Sequence, residues 1–213
     1  TLNHFILIKQ PERSTNTMKR IINVIAAVLI LAMPVFASAA SWSIDTDHSS
    51  VGFKVRHMMV SNVKGDFGKF NGVVEIDDKN LTKSKVEVVI DTTSINTGVA
   101  KRDDHLKSAD FFDVAKYPTM TFVSSTVKKV GNGTLKVYGK LTLHGVTRDV
   151  VLDVEGPTRE YKDPWGNIKR GATAVAKINR KDFGLTWNKA VESGGVVVGD
   201  EITIALEIEL LKK

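Results

Sequence analysis

The chain has 213 residues, a formal net charge of +6 and no cysteine. The absence of cysteine excludes disulfide bonds, thiol catalysis, iron–sulfur clusters and zinc sites with cysteine ligands. No Lys/Arg run after residue 39 is longer than two residues, so the charge pattern gives little support to nucleic-acid binding.

Residues 18–39 have the order of a secretory signal peptide. The basic start Met18-Lys19-Arg20 precedes an almost wholly apolar stretch, 21–36, and Ala37-Ser38-Ala39 supplies the small residues needed for cleavage. The apolar stretch is shorter than the roughly 20 residues of a spanning helix. The sequence therefore predicts export to the periplasm with cleavage near Ala39. We interpret residues 1–17 as an upstream extension, with Met18 as the true start.

The remaining residues, 40–213, are long enough for one domain with its own core. Leaving out residues 1–39 removes four basic residues and one acidic residue, so the net charge falls from +6 to about +3. The basic character of the whole chain therefore belongs partly to the segment that is predicted to be removed.

Apolar and polar residues alternate with period two along most of this domain, which is the pattern of β-strands with one dry face. The alternating segments are 51–57, 70–77, 86–91, 135–144, 150–155 and 202–210. Turn-forming residues separate them at 78–80, 131–133, 144–145 and 163–167. Because no long amphipathic helix intervenes, the sequence predicts an all-β antiparallel barrel or sandwich.

One segment lacks this alternation. Residues 99–109 are rich in charged residues around the single apolar Leu106, and Thr97 is placed to cap a short helix there. Four aromatic residues follow closely, at positions 111, 112, 117 and 122. We expect a short helix, held by these aromatic side chains, to cover one end of the barrel.

Small residues recur on the face that is predicted to be dry. Gly65, Gly68, Gly72 and Gly139 lie in or beside strands, where glycine often marks a bend. The residues at 172, 174 and 176 are all alanine and share one face of a strand. If these alanines point inward, they leave room for an apolar ligand. Outward alanines, or alanines packed against bulky partners, are the alternative.

Several segments, in order along the chain, make it similar to the YceI-like family of bacterial periplasmic proteins. They are Asp47–His57, Gly65–Gly72, Thr93–Thr97, Arg102–Asp113, Tyr117-Pro118, Gly139–Thr147 and Asn179–Gly184. The resemblance covers almost all of residues 40–213. It implies a lipocalin-like antiparallel barrel of eight strands with a short helix near its mouth. It also implies a carrier for a long-chain isoprenoid-type lipid, held lengthwise inside the barrel.

The candidate wall residues are the apolar side chains of the dry faces, for which ordinary core packing is the alternative. They are Val51, Phe53, Val55, Phe67, Phe70, Val88, Ile90, Phe122, Leu141, Leu143, Leu152, Val154, Ile204 and Leu206. Because the wall of a tube-shaped site is also its core, the two interpretations overlap.

The polar candidates are His57, Arg102 and His105. His57 shares a strand face with Phe53 and Val55, which is compatible with a ligand contact or with a core histidine. Arg102 and His105 lie three residues apart and share a helix face, where they would hold a phosphate or hydroxyl head group. The alternative is an ion pair with Asp103, Asp110 or Asp113.

Other functions remain open as alternatives. A quinone-binding accessory of a respiratory membrane protein, or an enzyme acting on a bound lipid, would have the same apolar wall. Ser193, within Glu192–Gly195, suggests a protease nucleophile, but no motif supplies the partners that a triad requires. We expect no catalytic site, no cofactor and no metal, because the histidines after residue 39 are scattered.

The charged residues opposite the dry faces argue against stable insertion into a membrane. Lys54, Arg56, Lys136, Asp153 and Glu207 would face lipid in an outer-membrane barrel, whose outward face must be apolar. The expected partner is an isoprenoid or another long amphiphilic lipid, without nucleic acid. Pairing of two copies through an exposed sheet edge, as a homodimer, stays open.

Overall fold

The computed structural model describes residues 39–192 and 194–213. The predicted extension 1–17 and almost all of the predicted signal peptide 18–39 lie outside these residues. The strands β1 to β12 are Ala40–Ile44, Ser50–His57, Ser61–Phe67, Phe70–Ile76, Lys85–Asp91, Ile95–Asn96, Thr119–Gly131, Thr134–Leu143, Val146–Glu155, Tyr161–Lys162, Ile168–Asn179 and Val198–Lys212. The helix α1 is Ala100–Lys107, and 3₁₀ turns occupy Leu81–Lys83, Thr92–Ser94 and Arg180–Phe183.

The strands form a closed antiparallel barrel of eight strand positions, three of which are each shared by two short strands. β1 and β2 both pair with β12 and run in the same direction, so together they form one interrupted strand of the barrel. β3 and β4 continue one another in the same way, as do β5 and β6. The long pairing of β11 with β12 closes the ring. The predicted eight-stranded barrel with one helix is therefore confirmed.

The pairing register gives the barrel two different ends. The lid end carries α1, the β2–β3 turn at 58–60, the β8–β9 turn at 144–145 and the segments 180–192 and 194–197. The base carries the turns 77–84 and 131–133 and the segment 156–167. Among the described residues, no helix is both long and apolar enough to cross a bilayer.

The strand pleat explains how the sequence fills this barrel. Leu135, Val137, Leu141 and Leu143 of β8 are buried, because alternate side chains point to the same face of a strand. The same alternation places Val150 and Leu152 inside. Charged residues occupy the outer face, where Lys136 of β8 forms an ion pair with Asp153 of β9.

The helix begins without the side-chain cap that the sequence suggested. Its N-cap residue is Val99, which makes no capping hydrogen bond. Thr97 instead donates hydrogen bonds from its backbone N–H and its hydroxyl to Asp103 Oδ1, at 2.9 and 2.5 Å. The carboxylate of the helix thus caps the preceding loop, which reverses the predicted role of Thr97.

Candidate binding cavity

An elongated apolar cavity of about 270 Å³ runs through the barrel. Its wall reaches Leu106, Phe111 and Phe112 at the lid end and Ile76 and Leu210 at the base. Wall residues from Ile202 to Leu210 of β12 span about 26 Å of strand, at about 3.3 Å per residue. The volume is close to the lower limit of about 300 Å³ for small-molecule sites. Its length and wall favour a thin apolar ligand.

Thirteen of the candidate wall residues line this cavity. They are Val51, Phe53, Val55, Phe67, Val88, Ile90, Phe122, Leu141, Leu143, Leu152, Val154, Ile204 and Leu206. The structure brings them together from β2, β3, β5, β7, β8, β9 and β12. Their contact with a ligand remains a prediction.

Four candidates lie outside the cavity wall. Phe70 is buried in the main hydrophobic core at the start of β4. His57 is the last residue of β2, where it pairs with Ser61 and Val198 beyond the wall residue Val55. His57 is partly buried and does not line the cavity, although its partner Val198 does.

Arg102 and His105, the other two, are engaged with the protein itself. The Arg102 guanidinium donates from Nε to Thr97 Oγ1 at 2.7 Å and from Nη2 to the Thr97 carbonyl at 2.9 Å. His105 Nε2 lies 2.9 Å from Asp110 Oδ2. The His105–Asp110 contact is one of the ion pairs named as the alternative, whereas Arg102 binds Thr97 and none of the three carboxylates. Binding of a head group by either residue stays a prediction.

Glycines on the inner surface make room for aromatic rings. Gly65 lies directly opposite Phe53, and a Cβ on Gly65 would be 2.6 Å from Phe53 Cζ. At Gly139, a Cβ would be 2.7 Å from Phe122 Cε2. Each ring therefore lies against the sheet, over a glycine, instead of standing across the tube. This arrangement keeps the axis of the barrel free of large side chains.

The alanine row of β11 faces inward at two positions. Ala172 and Ala174 line the cavity, opposite Ile208 and Leu206 of β12. Ala176 is buried but is not part of the wall. Small residues on β11 thus face branched residues on β12, which leaves space on one side of the tube.

Arg180 is the residue of this region that the sequence patterns did not single out. Its guanidinium is 3% exposed and lies at the lid end of the cavity wall. It donates to the carbonyls of Leu185, Trp187 and Gly199 at 2.5, 2.9 and 2.9 Å, and Nη2 lies 3.2 Å from Asp200 Oδ1. Burial lowers the pKa of Arg180 from its ordinary value, and the Asp200 carboxylate opposes this change.

The surrounding motif holds Arg180 in place. Asn179 Oδ1 caps the 3₁₀ turn by accepting from Lys181 N–H at 2.9 Å, and Phe183 is only 1% exposed. Gly184 ends the turn at φ 81°. The segment 179–184 is therefore a buried anchor for the loop beneath the lid. In the sequence, the signal that could have pointed to this anchor is an arginine that lies between an asparagine and a phenylalanine.

Aromatic contacts connect the lid to this anchored loop. The His105 ring lies edge-on to Phe111 and to Trp187, with centroid distances of 5.0 and 4.9 Å. Phe111 and Trp187 are 5.1 Å apart. The lid is thus held by one buried ring, two partly exposed rings and the His105–Asp110 contact, together with the hydrogen bonds around Thr97.

Asp45, His48 and Glu209 form a cluster whose ligand atoms lie within 4.8 Å of one another. The sequence did not indicate it, because Glu209 is distant along the chain. Lys169 Nζ already lies 3.1 Å from Asp45 Oδ2 and 2.5 Å from Glu209 Oε1. The hydrogen bonds that Lys169 donates to Glu209 and Asp45 raise the pKa of Lys169. An internal cation therefore already offsets part of the negative charge of the cluster.

The domain is similar to proteins from several bacteria. A family model described as a YceI-like domain matches residues 42–210. A UPF0312 protein of Vibrio cholerae is 41% identical over 170 residues, which are 79% of this chain and 89% of that protein.

Two solved structures share the barrel. The YceI protein of Campylobacter jejuni is 36% identical, with a TM-score of 0.64 over 79% of this chain and 96% of that one. A polyisoprenoid-binding domain from Saccharophagus degradans, implicated in plant cell wall breakdown, is 18% identical, with a TM-score of 0.58 over 82% and 99%. At that identity the second likeness shows the fold alone.

Proposed function

The chain belongs to the YceI-like family, and from this premise we propose that it is a periplasmic carrier that holds an isoprenoid-type lipid inside its barrel. The observation that carries the proposal is the continuous apolar wall from Leu106 at the lid to Leu210 at the base. The polyisoprenoid-binding domain of Saccharophagus degradans, which shares the fold, supports the same ligand class.

Energetics favour a long chain over a short one. About ten buried methylene groups supply about 8 kcal/mol. Association costs about 4–15 kcal/mol in lost freedom. A short apolar ligand therefore gains little net affinity from this tube, whereas a long prenyl chain gains enough to be held. The apolar wall offers a polar head group few polar contacts, so the head group is expected at the lid end.

The wall also supports binding rather than catalysis. Arg180 is the single ionisable residue among the described residues that line the cavity. Its donors are directed at carbonyls and at Asp200. A reaction on a bound lipid would need an acid–base pair or a nucleophile facing the chain. A quinone with a prenyl tail fits the same wall, and identification of the bound species separates it from a polyprenol.

The test is to identify the lipid that accompanies the protein. The exported protein is purified without detergent and analysed by native mass spectrometry, followed by lipid extraction. A stoichiometric prenyl or quinone species is the expected result. Protein that is empty, and stays empty after incubation with prenyl lipids, would contradict the carrier function.

A pair of neighbouring substitutions locates the site. Ala174→Leu extends an inward side chain into the tube, and we expect it to lower the affinity for the lipid about tenfold, by overpacking of about 1–3 kcal/mol. Val175→Leu is the matched control, because Val175 is 47% exposed on the outer face of the same strand. Equal loss of lipid in both variants would place the ligand elsewhere.

A further inference from the structure

The turn between β2 and β3 has an unusual backbone for its residues. Met58 and Met59 have φ values of 47° and 61°, and Val60 N–H donates to the His57 carbonyl at 3.1 Å. Positive φ at both central residues is typical of a type I′ turn, in which Asn-Gly is the preferred pair. Two methionines in this conformation cost conformational energy, because a positive φ is unfavourable for residues with a side chain.

The same residues form a contiguous apolar tip. Met58, Met59 and Val60 are 44%, 53% and 77% exposed. Many other exposed apolar residues, such as Val89 and Val123, are single positions on the outer faces of strands. A contiguous apolar protrusion generally marks a binding surface.

This tip stands at the mouth of the cavity. It follows Val55 by three residues, and Met58 N–H donates to the Val197 carbonyl at 2.9 Å, next to Val198. Both Val55 and Val198 belong to the cavity wall. The tip therefore adjoins the end of the tube where a lipid would enter or leave.

The hairpin that carries the tip has an excess of positive charge. Lys54, Arg56 and Lys64 are exposed, and Lys54 lies directly opposite Lys64. Like charges directly opposite each other destabilise a strand pair. Among the described residues, none of these three cations has a carboxylate within ion-pair distance. Arg56 Nη2 donates to the Met59 carbonyl at 2.7 Å, which holds this cation beside the tip. The hairpin thus presents three cations that have no carboxylate partner in the described part of the chain, one of them attached to the turn.

We infer that this hairpin docks the protein on the surface of an anionic phospholipid bilayer, with Met58–Val60 inserted at the headgroup boundary. Apolar side chains enter the interface while Lys and Arg bind anionic headgroups. The inference deepens the proposed carrier function, since docking at this end would bring the mouth of the tube to the bilayer.

The base has an apolar tip of its own, which serves as a comparison. Trp165 is 83% exposed in the segment 156–167. Arg170 pairs with Asp78 and Lys212 pairs with Glu160 there, whereas the exposed Arg159 and Lys162 have no carboxylate within ion-pair distance among the described residues. This tip therefore differs from Met58–Val60 in its position, at the end of the barrel opposite the mouth.

The test measures sedimentation of the exported protein with two kinds of vesicle, an equal mixture of phosphatidylcholine and phosphatidylglycerol, and phosphatidylcholine alone. The mass of the purified protein first establishes that residues 1–39 are absent. We expect binding to the anionic vesicles that falls severalfold with salt, because salt screens exposed charges. Met58→Asn with Met59→Gly should weaken it about tenfold or more.

The variants separate docking from folding and from lipid binding. Asn-Gly is the preferred pair for this turn, so the double variant should unfold at the same temperature as the wild type or higher. Lys54→Gln with Lys64→Gln should remove the preference for anionic vesicles, while Trp165→Ser should bind them like the wild type.

The inference is overturned if the wild type does not sediment with anionic vesicles, if the Asn-Gly variant binds as well, or if Trp165→Ser abolishes binding. The lipid bound to the Asn-Gly variant distinguishes the two proposals. If the Asn-Gly variant retains its lipid but no longer binds vesicles, both proposals are supported. If the wild type binds vesicles but never contains lipid, only the carrier function is contradicted.

Discussion

The base of the barrel buries a tryptophan beside two ion-paired basic residues, whereas the helix at the lid end is held in part by the partly exposed rings of His105 and Trp187. At the base Trp42 is 0% exposed, with Arg170 Cζ and Lys212 Nζ 5.1 and 5.6 Å from its ring. At the lid end His105 meets Phe111 and Trp187 edge-on. Deeply buried groups open at a high energetic cost and surface rings at a low one. For the proposed carrier we therefore expect a ligand to enter and leave at the lid end.

The largest expected effect is at the base. Trp42→Ala removes a fully buried ring and the cation–π partner of two basic residues, so the free energy of unfolding should fall by about 3–5 kcal/mol. Urea denaturation followed by circular dichroism measures this. Trp165→Ala, at an 83% exposed position, should change it by less than about 0.5 kcal/mol. Similar free energies of unfolding for the two variants would show that the buried ring of Trp42 does not stabilise the base.

Arg180→Met tests whether Arg180 stabilises the segment 179–184 and the loop beneath the lid. The change leaves the Leu185, Trp187 and Gly199 carbonyls without their donor, and should destabilise the fold by about 2–3 kcal/mol. Arg148→Met, at an exposed position of β9, is the matched control and should be nearly neutral. If the free energy of unfolding of Arg180→Met were the same as that of the control, the stability of this loop would not depend on Arg180.

A substitution in the lid should change the free energy of unfolding little and the rate of lipid release strongly. Trp187→Ala removes the ring contacts to His105 and Phe111 and should lower the free energy of unfolding by about 1 kcal/mol. Release of a fluorescent prenyl lipid, followed by stopped flow, should become faster. A double-mutant cycle with His105→Ala should show coupling between the two residues. An unchanged release rate would place the exit elsewhere.

The last prediction concerns acid stability at the base, where the effect is confined to low pH. Burial raises the pKa of Asp45, but hydrogen bonds from His48, Lys169 and Asp47 N–H outweigh this and lower it to about 2. Because the folded pKa lies below the ordinary value of 3.8, the charged carboxylate stabilises the fold above about pH 4. This contribution is lost as the pH falls towards 2.

Asp45→Asn should therefore flatten the decline in the free energy of unfolding between about pH 4 and pH 2. Asp104→Asn, at an exposed position on α1, should leave the decline unchanged. Equal acid profiles for the wild type and Asp45→Asn would show that the network around Lys169 does not depend on this charge.

The alternation of residues predicted an all-β barrel or sandwich and most of the cavity wall, and the resemblance to the YceI-like family implied the eight-stranded barrel. Thirteen of the candidate residues line the cavity because a period of two determines which side of a strand a residue faces, whatever its partner strand. The short helix at 100–107 was also predicted, from the break in that alternation. These features depend on local geometry, so a single sequence contains them.

Tertiary structure decided the features that join distant parts of the chain. Thr97 binds Asp103 instead of capping the helix, and Arg180 is buried because carbonyls from three segments converge on it. Lys169 neutralises Asp45 and Glu209, which are far apart in sequence. The side-chain pattern of the strands determined what lies inside the barrel, but only its closure determined which polar groups meet at each end, because hydrogen bonds and ion pairs need a distance that periodicity does not contain.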